Sequence, residues 1–194
     1  MVSTRSVAAP RLRAPVFLLT LLVSLAVGLS TAAPRQRGAI SPVPAPAFTH
    51  AGAEDWLNSD PLTLESLRGK VVLVDFWAFE CWNCYRSFPW LNGLEGEFEE
   101  QGLQVIGIHA PEFERERHRA AVAAKAREFE LHHPLMIDND FSYWRALGNR
   151  YWPTYYLIDK RGRVRYRFIG ETHAGSEQAR QVERAVRALL AEPA

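Results

Sequence analysis

Apolar and polar positions along the chain alternate in blocks that predict a strand followed by a helix. The run VVLVDFWA, beginning at Val71, is short, β-branched and nearly all apolar, as expected for a central strand covered on both faces. Residues 82–100 then carry apolar side chains at spacings of three and four, which predicts a helix that Pro89 kinks. The apolar positions of this helix are Phe88, Leu91, Leu94 and Phe98.

The same alternation continues to the end of the chain. LQVIGIHA predicts a second buried strand, residues 112–131 a charged helix, and HPLMID a further strand ending at Asp138. A short helix ending at Gly148 and a hairpin turning at Gly162 precede a closing helix with apolar positions at Ala179, Val182, Val186 and Leu189. This order predicts an α/β fold in which helices flank a mixed central sheet.

The N-terminal stretch has a different pattern. Three arginines precede an uncharged apolar stretch over residues 14–34 that closes with small residues. This pattern predicts an export signal over residues 1–33, either cleaved or retained as an anchor through residues 14–34. Both alternatives predict a periplasmic or otherwise extracytoplasmic location. Residues 34–52 are rich in proline and predict a linker, with ordered structure beginning near Phe48 or Trp56 and one domain over residues 53–194.

Composition narrows the function classes. The chain has 194 residues, 47% of them hydrophobic, which is enough for one sizeable core. Its 23 basic and 22 acidic residues give a net charge of +1 without long blocks of one sign, so no nucleic-acid partner is expected. The sequence shows no haem-attachment motif and no cofactor-binding loop, so we expect no cofactor.

Cys81 and Cys84 are the only cysteines, and the sequence allows three alternative functions for them. A zinc site needs four ligands, and the adjacent His132 and His133 lack the usual spacing, so no metal is expected. A disulfide across two residues would constrain the unfolded chain little. A reacting dithiol fits best, because Cys81 would open a helix whose N-terminus stabilises a thiolate, with Cys84 one turn further in.

These residues also carry a family resemblance. VVLVDFWAFECWNC resembles the active-site strand and turn of thioredoxins, and YWPTYYLID resembles their segment with a cis-proline. Longer stretches, PLTLESLRGKVVLVDFW, VIGIHAPEFERER and IDNDFSYWRALGNRYWPTYYLID, resemble the exported TlpA/ResA-type thioredoxins, most closely the C-terminal module of DipZ/DsbD-like proteins. The resemblance covers residues 54–192. It implies a thioredoxin-like fold with a TlpA-type helix-strand insertion over residues 112–138.

The resemblance also implies roles for four residues. Cys81 would be the nucleophile, Cys84 the resolving thiol, Asp75 the buried carboxylate that accepts the Cys84 proton, and Pro153 the residue that aligns substrate. Burial would raise the pKa of such a carboxylate toward neutrality. Two plainer alternatives stay open: Asp75 faces water, or Pro153 is a trans proline at a strand edge.

Neighbouring residues are candidates for recognition and tuning. Trp82, Trp152 and Thr154 are predicted to bind substrate, and Trp77 to pack beside the nucleophile. Glu80 stands where thioredoxins have a tryptophan, and its charge is predicted to disfavour the Cys81 thiolate. Three further expectations are a core position for Trp144, a hydrogen-bonded loop position for His109, and a solvated face or docking surface for EFERERHR. The alternative for His109, which ends a predicted strand, is a place near the dithiol.

The expected function is that of an exported thiol–disulfide oxidoreductase that reduces disulfides in extracytoplasmic proteins. Its relatives serve cytochrome c maturation or disulfide repair and are recharged by a membrane electron donor of the DsbD/CcdA type. The predicted partners are therefore protein disulfides and such a donor, with membrane contact only through an N-terminal anchor. The alternatives are a disulfide-donating oxidant, a thiol peroxidase and a non-enzymatic thioredoxin-like binding module.

Overall fold

A computed structural model describes residues 1–2 and 37–194, and within them a seven-stranded sheet forms the centre. The strands are β1 (Ala39–Pro44), β2 (Trp56–Leu57), β3 (Val71–Trp77), β4 (Leu103–His109), β5 (Leu135–Ile137), β6 (Thr154–Ile158) and β7 (Arg163–Ile169). The α-helices are α1 (Trp82–Phe98), α2 (Arg119–Glu128), α3 (Ser142–Ala146) and α4 (Glu177–Ala191).

The sheet is mixed, as the sequence predicts. Its strand order is β1-β7-β6-β3-β4-β5-β2. β3, β4 and β5 run parallel, whereas β6 pairs antiparallel with both β3 and β7. The predicted central strand is therefore central, and its whole length is buried.

Alternation along β3 separates two apolar layers. Leu73 and Trp77 point into the layer formed with α1, α2 and α4, while Val74 and Phe76 point into the layer formed with α3 and the segment before β3. Asp75 lies between Val74 and Phe76 in the sequence, so its side chain shares the face of Leu73 and Trp77. The only carboxylate of this strand therefore lies on the face covered by α1.

The predicted helix over residues 112–131 is shorter than expected. A 3-10 turn over Glu114–Arg117 comes first, and α2 begins only at Arg119 because His118 has an extended backbone. Glu116 of this turn is completely buried. The prediction of a solvated face for EFERERHR is therefore wrong at this position.

The predicted linker also differs from the structure. Residues 39–44 form β1, which pairs antiparallel with β7, and the Ala45 N–H donates to the Gly162 carbonyl at 2.9 Å. The prediction that ordered structure begins near Phe48 or Trp56 is wrong for this reason. Prolines are compatible with an outermost strand because one side of such a strand needs no hydrogen-bond donors.

The predicted signal or anchor falls largely on residues 3–36, outside the described residues. Among the residues that are described, no helix has both the length and the apolar character needed to span a membrane.

Candidate active site

Cys81 and Cys84 form a disulfide at the junction of β3 and α1. Cys81 is the N-cap of α1, and its Sγ accepts the Cys84 backbone N–H at 3.3 Å. Cys84 is completely buried, whereas 7% of Cys81 is exposed. Cys81 is thus the sulfur closer to solvent, and the helix N-terminus provides a donor and a positive dipole end for its thiolate.

Asp75 is a buried carboxylate that forms no ion pair with any of the described residues. It is 1% exposed, and its Oδ1 has no hydrogen-bond partner. Burial raises the pKa of Asp75 to about 8, because water no longer stabilises the charged form. The position agrees with the expected buried carboxylate and excludes the alternative in which Asp75 faces water.

Pro153 precedes β6, and its peptide bond with Trp152 is cis, as the resemblance implies. The Trp152 Nε1–H donates to the Ala110 carbonyl at 3.1 Å, and the Ala110 N–H donates to the Trp77 carbonyl at 3.0 Å. These two hydrogen bonds join the Pro153 loop to the ends of β4 and β3. The structure therefore brings the loop of Pro153 to the strand end that leads into Cys81.

The three predicted substrate-binding residues differ in exposure. Trp82 is 67% exposed, and Trp152 is half-buried with its ring stacked at 4.3 Å from that of Trp144. Thr154 is completely buried, and its hydroxyl donates to the Tyr151 carbonyl at 2.8 Å. The prediction that Thr154 contacts substrate through its side chain is therefore wrong, because this side chain completes the turn instead.

Sequence patterns missed two exposed apolar side chains near the disulfide. Phe113 stacks under the Arg115 guanidinium, which in turn pairs with Glu80. Ile169 lies opposite Thr154 in the sheet, beside Pro153. Trp82 and Tyr151 are likewise exposed apolar side chains on the segments that follow Cys81 and precede Pro153, and these four residues are called the apolar rim: Trp82, Phe113, Tyr151 and Ile169. Only exposure would have revealed Phe113 and Ile169, since nothing in their spacing distinguishes them.

Glu80 and Trp77, the two predicted tuning residues, lie in different surroundings. The Glu80 carboxylate pairs with Arg115, and hydrogen bonding to that guanidinium lowers the pKa of Glu80. Arg115 therefore compensates part of the charge that the sequence places beside Cys81. Trp77 is completely buried and packs edge-on against Phe88 and His109.

His109 lies inside the protein rather than in a solvated loop. It is completely buried at the end of β4, and neither ring nitrogen has a hydrogen-bond partner. Burial lowers the pKa of His109 to about 3, so the ring is neutral at physiological pH. The expectation of a hydrogen-bonded loop histidine is therefore wrong.

One group among the described residues has the composition of a cation site. The ligand atoms of His50, Asp138 and Asp140 lie within 4.8 Å of one another. The His50 Nε2 is 3.2 Å from an oxygen of each aspartate, and Asp138 accepts the N–H groups of Tyr143 and Trp144. These hydrogen bonds account for the cluster as an anchor of α3.

Comparison with protein families agrees with this geometry. The model of the AhpC/TSA family matches residues 43–167, well over half of the chain. The chain belongs to the AhpC/TSA family. Thiol–disulfide oxidoreductase YkuV of Bacillus subtilis is 31% identical over 150 residues, covering 77% of this chain and 95% of that protein. Over most of its length the chain is therefore similar to a thiol–disulfide oxidoreductase of the TlpA/ResA/YkuV group.

Two further comparisons define the extent of the match. Protein DipZ of Mycobacterium bovis is 44% identical over 123 residues, which cover 62% of this chain but 18% of that protein. The chain thus spans about a fifth of DipZ. A DsbE-like thiol:disulfide interchange protein from Chlorobium tepidum superposes with a TM-score of 0.66 at 24% identity, covering 78% of this chain and 99% of that one. This superposition confirms the thioredoxin-like fold.

Proposed function

We propose that this protein is a thiol–disulfide oxidoreductase that works outside the cytoplasm and reduces protein disulfides with the Cys81–Cys84 dithiol. The observation that carries the proposal is the disulfide at the N-terminus of α1, with Cys81 partly exposed and Cys84 buried behind it. This arrangement gives the two sulfurs different roles, because an incoming disulfide can reach only the outer one.

The reaction begins at Cys81. Its thiolate attacks one sulfur of the substrate disulfide, forms a mixed disulfide and releases the other sulfur as a thiolate, which takes up a proton. With a pKa of about 8, a fraction of Asp75 is ionised near neutral pH, and this form accepts the Cys84 proton. Cys84 then attacks the Cys81 sulfur, and the second substrate sulfur leaves as a thiolate that takes up a proton. Two electrons pass to the substrate, and the enzyme is left with the Cys81–Cys84 disulfide.

The apolar rim and the Pro153 loop are the proposed substrate surface. Trp82 and Tyr151 are 67% and 56% exposed, and aromatic side chains contribute strongly to protein recognition. The Trp152 backbone, held through the Trp152–Ala110 hydrogen bond, provides an edge for an extended substrate segment. The buried Thr154 hydroxyl donates to the Tyr151 carbonyl and so holds the turn next to this edge.

A reductant in an oxidising compartment needs an electron source. The similarity to part of DipZ supports a membrane donor of the DsbD/CcdA type, with cytochrome c maturation or disulfide repair as the pathway. An N-terminal signal or anchor over residues 1–33 supplies the extracytoplasmic location in this proposal.

The first experiment separates the cysteine roles. Cys81→Ser is expected to abolish reduction of insulin by dithiothreitol-charged protein, and Cys84→Ser is expected to trap a mixed disulfide with substrate. Glu100→Gln is the control, since this exposed residue lies after the far end of α1 and the variant should retain activity. Activity that persists in Cys81→Ser would contradict the proposed nucleophile.

The second experiment distinguishes a reductant from a disulfide-donating oxidant. The potential of the Cys81–Cys84 couple is measured by equilibration with glutathione and dithiothreitol. A value near that of thioredoxin, about −270 mV, supports the reductant, whereas a value near that of DsbA, about −120 mV, would favour the oxidant.

A further inference from the structure

A second buried carboxylate lies on the 3-10 turn between β4 and α2, against the histidine that contacts the segment before Cys81. Glu116 is completely buried, its Oε2 accepts the Glu112 N–H at 3.1 Å, and its Oε1 has no hydrogen-bond partner. The His109 Nε2 lies 3.8 Å from the Glu116 Oε2, and both side chains are fully excluded from solvent. Buried polar atoms without partners are uncommon, and their presence here points to a function.

This pair lies directly against the redox loop. The His109 ring is 4.8 Å from the Trp77 ring and 5.7 Å from the Phe79 ring, both in the segment that leads to Cys81. The Glu116 Oε2 lies 3.8 Å from the Nε2 of the His109 ring. Through His109, Glu116 thus adjoins the segment that leads to the nucleophile.

No cation in the described part of the chain forms an ion pair with Glu116 other than a protonated His109. Arg115 and Arg117, the two arginines adjacent in sequence, pair with Glu80 and Glu114 instead. Desolvation raises the pKa of Glu116, the Glu112 N–H acts in the opposite direction, and burial keeps the His109 ring neutral, so the carboxyl is the group of this pair that can bind or release a proton. The other groups that act electrostatically on Glu116 are Glu80, Tyr85, Glu112 and Arg115.

We propose that Glu116 and His109 form a buried proton-holding site that takes up one proton when the disulfide is reduced and Cys81 becomes a thiolate. This inference rests on the proposed function and adds to it. In the oxidised protein Glu116 carries the single negative charge of this site. In the reduced protein the charge moves to the Cys81 sulfur, one proton resides on Glu116 and the other on Cys84.

Over a full catalytic cycle the enzyme releases as many protons as it takes up. Reduction of the enzyme disulfide takes two electrons from the donor and two protons. Oxidation by substrate returns both electrons and both protons, so that the two substrate sulfurs leave as thiols. Asp75, on the α1 face of the sheet, accepts and returns the Cys84 proton. Glu116 binds and releases the other proton.

The test uses the reduced full-length protein and two matched variants. Glu116→Gln keeps the shape and an acceptor for the Glu112 N–H but holds no titratable proton. Glu114→Gln is the control, because Glu114 belongs to the same turn but is exposed and paired with Arg117. The measurement is the rate of Cys81 alkylation by iodoacetamide from acidic to alkaline pH.

The wild type and Glu114→Gln are expected to show a two-step profile, because ionisation of Glu116 suppresses the thiolate. Glu116→Gln should lose the step that comes from Glu116, keep the step shared by the thiols and Asp75, and react about threefold faster or more near neutral pH, since Cys81 no longer competes with Glu116 for the negative charge. A Glu116→Gln profile that superposes on the wild type would overturn the inference.

A measurement on the unmodified protein covers the case in which Glu116→Gln fails to fold. The carboxyl carbon of Glu116, assigned by through-bond NMR, should titrate at a higher pH in the reduced protein than in the oxidised one. Identical titration in both states overturns the inference even if insulin reduction is normal. Loss of insulin reduction in the wild type would instead contradict the proposed function.

Discussion

Asp75 is an ionisable group that the native fold keeps away from water. Its pKa is about 8 in the folded protein, against an ordinary value of 3.8. Between these values the unfolded chain has released this proton while the folded protein retains it. The contribution of Asp75 to stability is therefore complete below pH 4 and is lost as the pH rises toward 8.

Asp75→Asn removes this pH dependence. At pH 7 the oxidised variant should be more stable than the oxidised wild type by about 3 to 4 kcal/mol, and near pH 4 the two should be similar. Urea unfolding at several pH values measures the difference, with the exposed Asp60→Asn as control. A stability difference that does not change with pH would contradict a buried, protonated Asp75.

Glu80 and Arg115 form an ion pair near Cys81, which moderates the tuning role predicted for Glu80. Arg115→Gln should decrease the Cys81 thiolate fraction, because the Glu80 charge is then uncompensated. Glu80→Gln should increase that fraction and raise the reduction potential. Thiolate ultraviolet absorbance and redox equilibration measure the two effects, and no change in either variant would show that Glu80 has no influence on the sulfur.

Local sequence identifies site residues only when their neighbours fix their positions. Cys81, Cys84, Asp75 and Pro153 stand in or beside patterned strands, so their burial and placement follow from the pattern. Glu116 is different, because it lies in an evenly charged run that resembles a solvated helix. The burial of Glu116 depends on how its turn packs near residues 79–80, and the local sequence does not predict that contact.

Strand β4 depends on a glycine where it passes the redox strand. A Cβ at Gly107 would lie 3.1 Å from the Trp77 Nε1 and closer still to the Leu135 side chain. Gly107→Ala should destabilise the protein by about 1 to 3 kcal/mol through overpacking. Thermal and urea unfolding measure this loss.

The matched control for Gly107 is a glycine in the helix that follows the disulfide. Gly93 lies within α1, and a Cβ there would meet nothing within 4 Å. Gly93→Ala should therefore stabilise the protein by about 0.5 to 1 kcal/mol. Equal effects at the two positions would contradict the close packing of β4 against Trp77 and Leu135.

Elements with clear periodicity were predictable, and elements set by tertiary pairing were not. The apolar runs of β3 and β4 and the apolar stripes of α1 and α4 are sufficient to predict these four elements from the sequence. Strand β1 has little apolar character, and its place depends on the free edge of β7. The division of the predicted helix over residues 112–131 depends on buried Glu116 in the same way.

At the scale of the whole molecule, β1 completes one side of the sheet. The Arg167 N–H donates to the Gly38 carbonyl at 2.8 Å, so its hydrogen exchange should be slow in the full chain. In a chain beginning at residue 48 the exchange should accelerate by at least about tenfold. The Gly170 amide, which donates to the Pro153 carbonyl, is the internal control. Unchanged exchange at Arg167 would show that β1 is not stably paired.

The prolines of β1 have a consequence for encounters between copies of the molecule. Pro42 and Pro44 lack an N–H, and the pairing with β7 is irregular between Ala39 and Val43. At the opposite side the sheet ends in β2, which is only two residues long. Neither border of the described sheet presents a long row of free backbone N–H groups with which a strand of another molecule could pair. If its substrates are protein disulfides, as proposed, these borders keep the sheet from becoming a template for the aggregation of substrate chains.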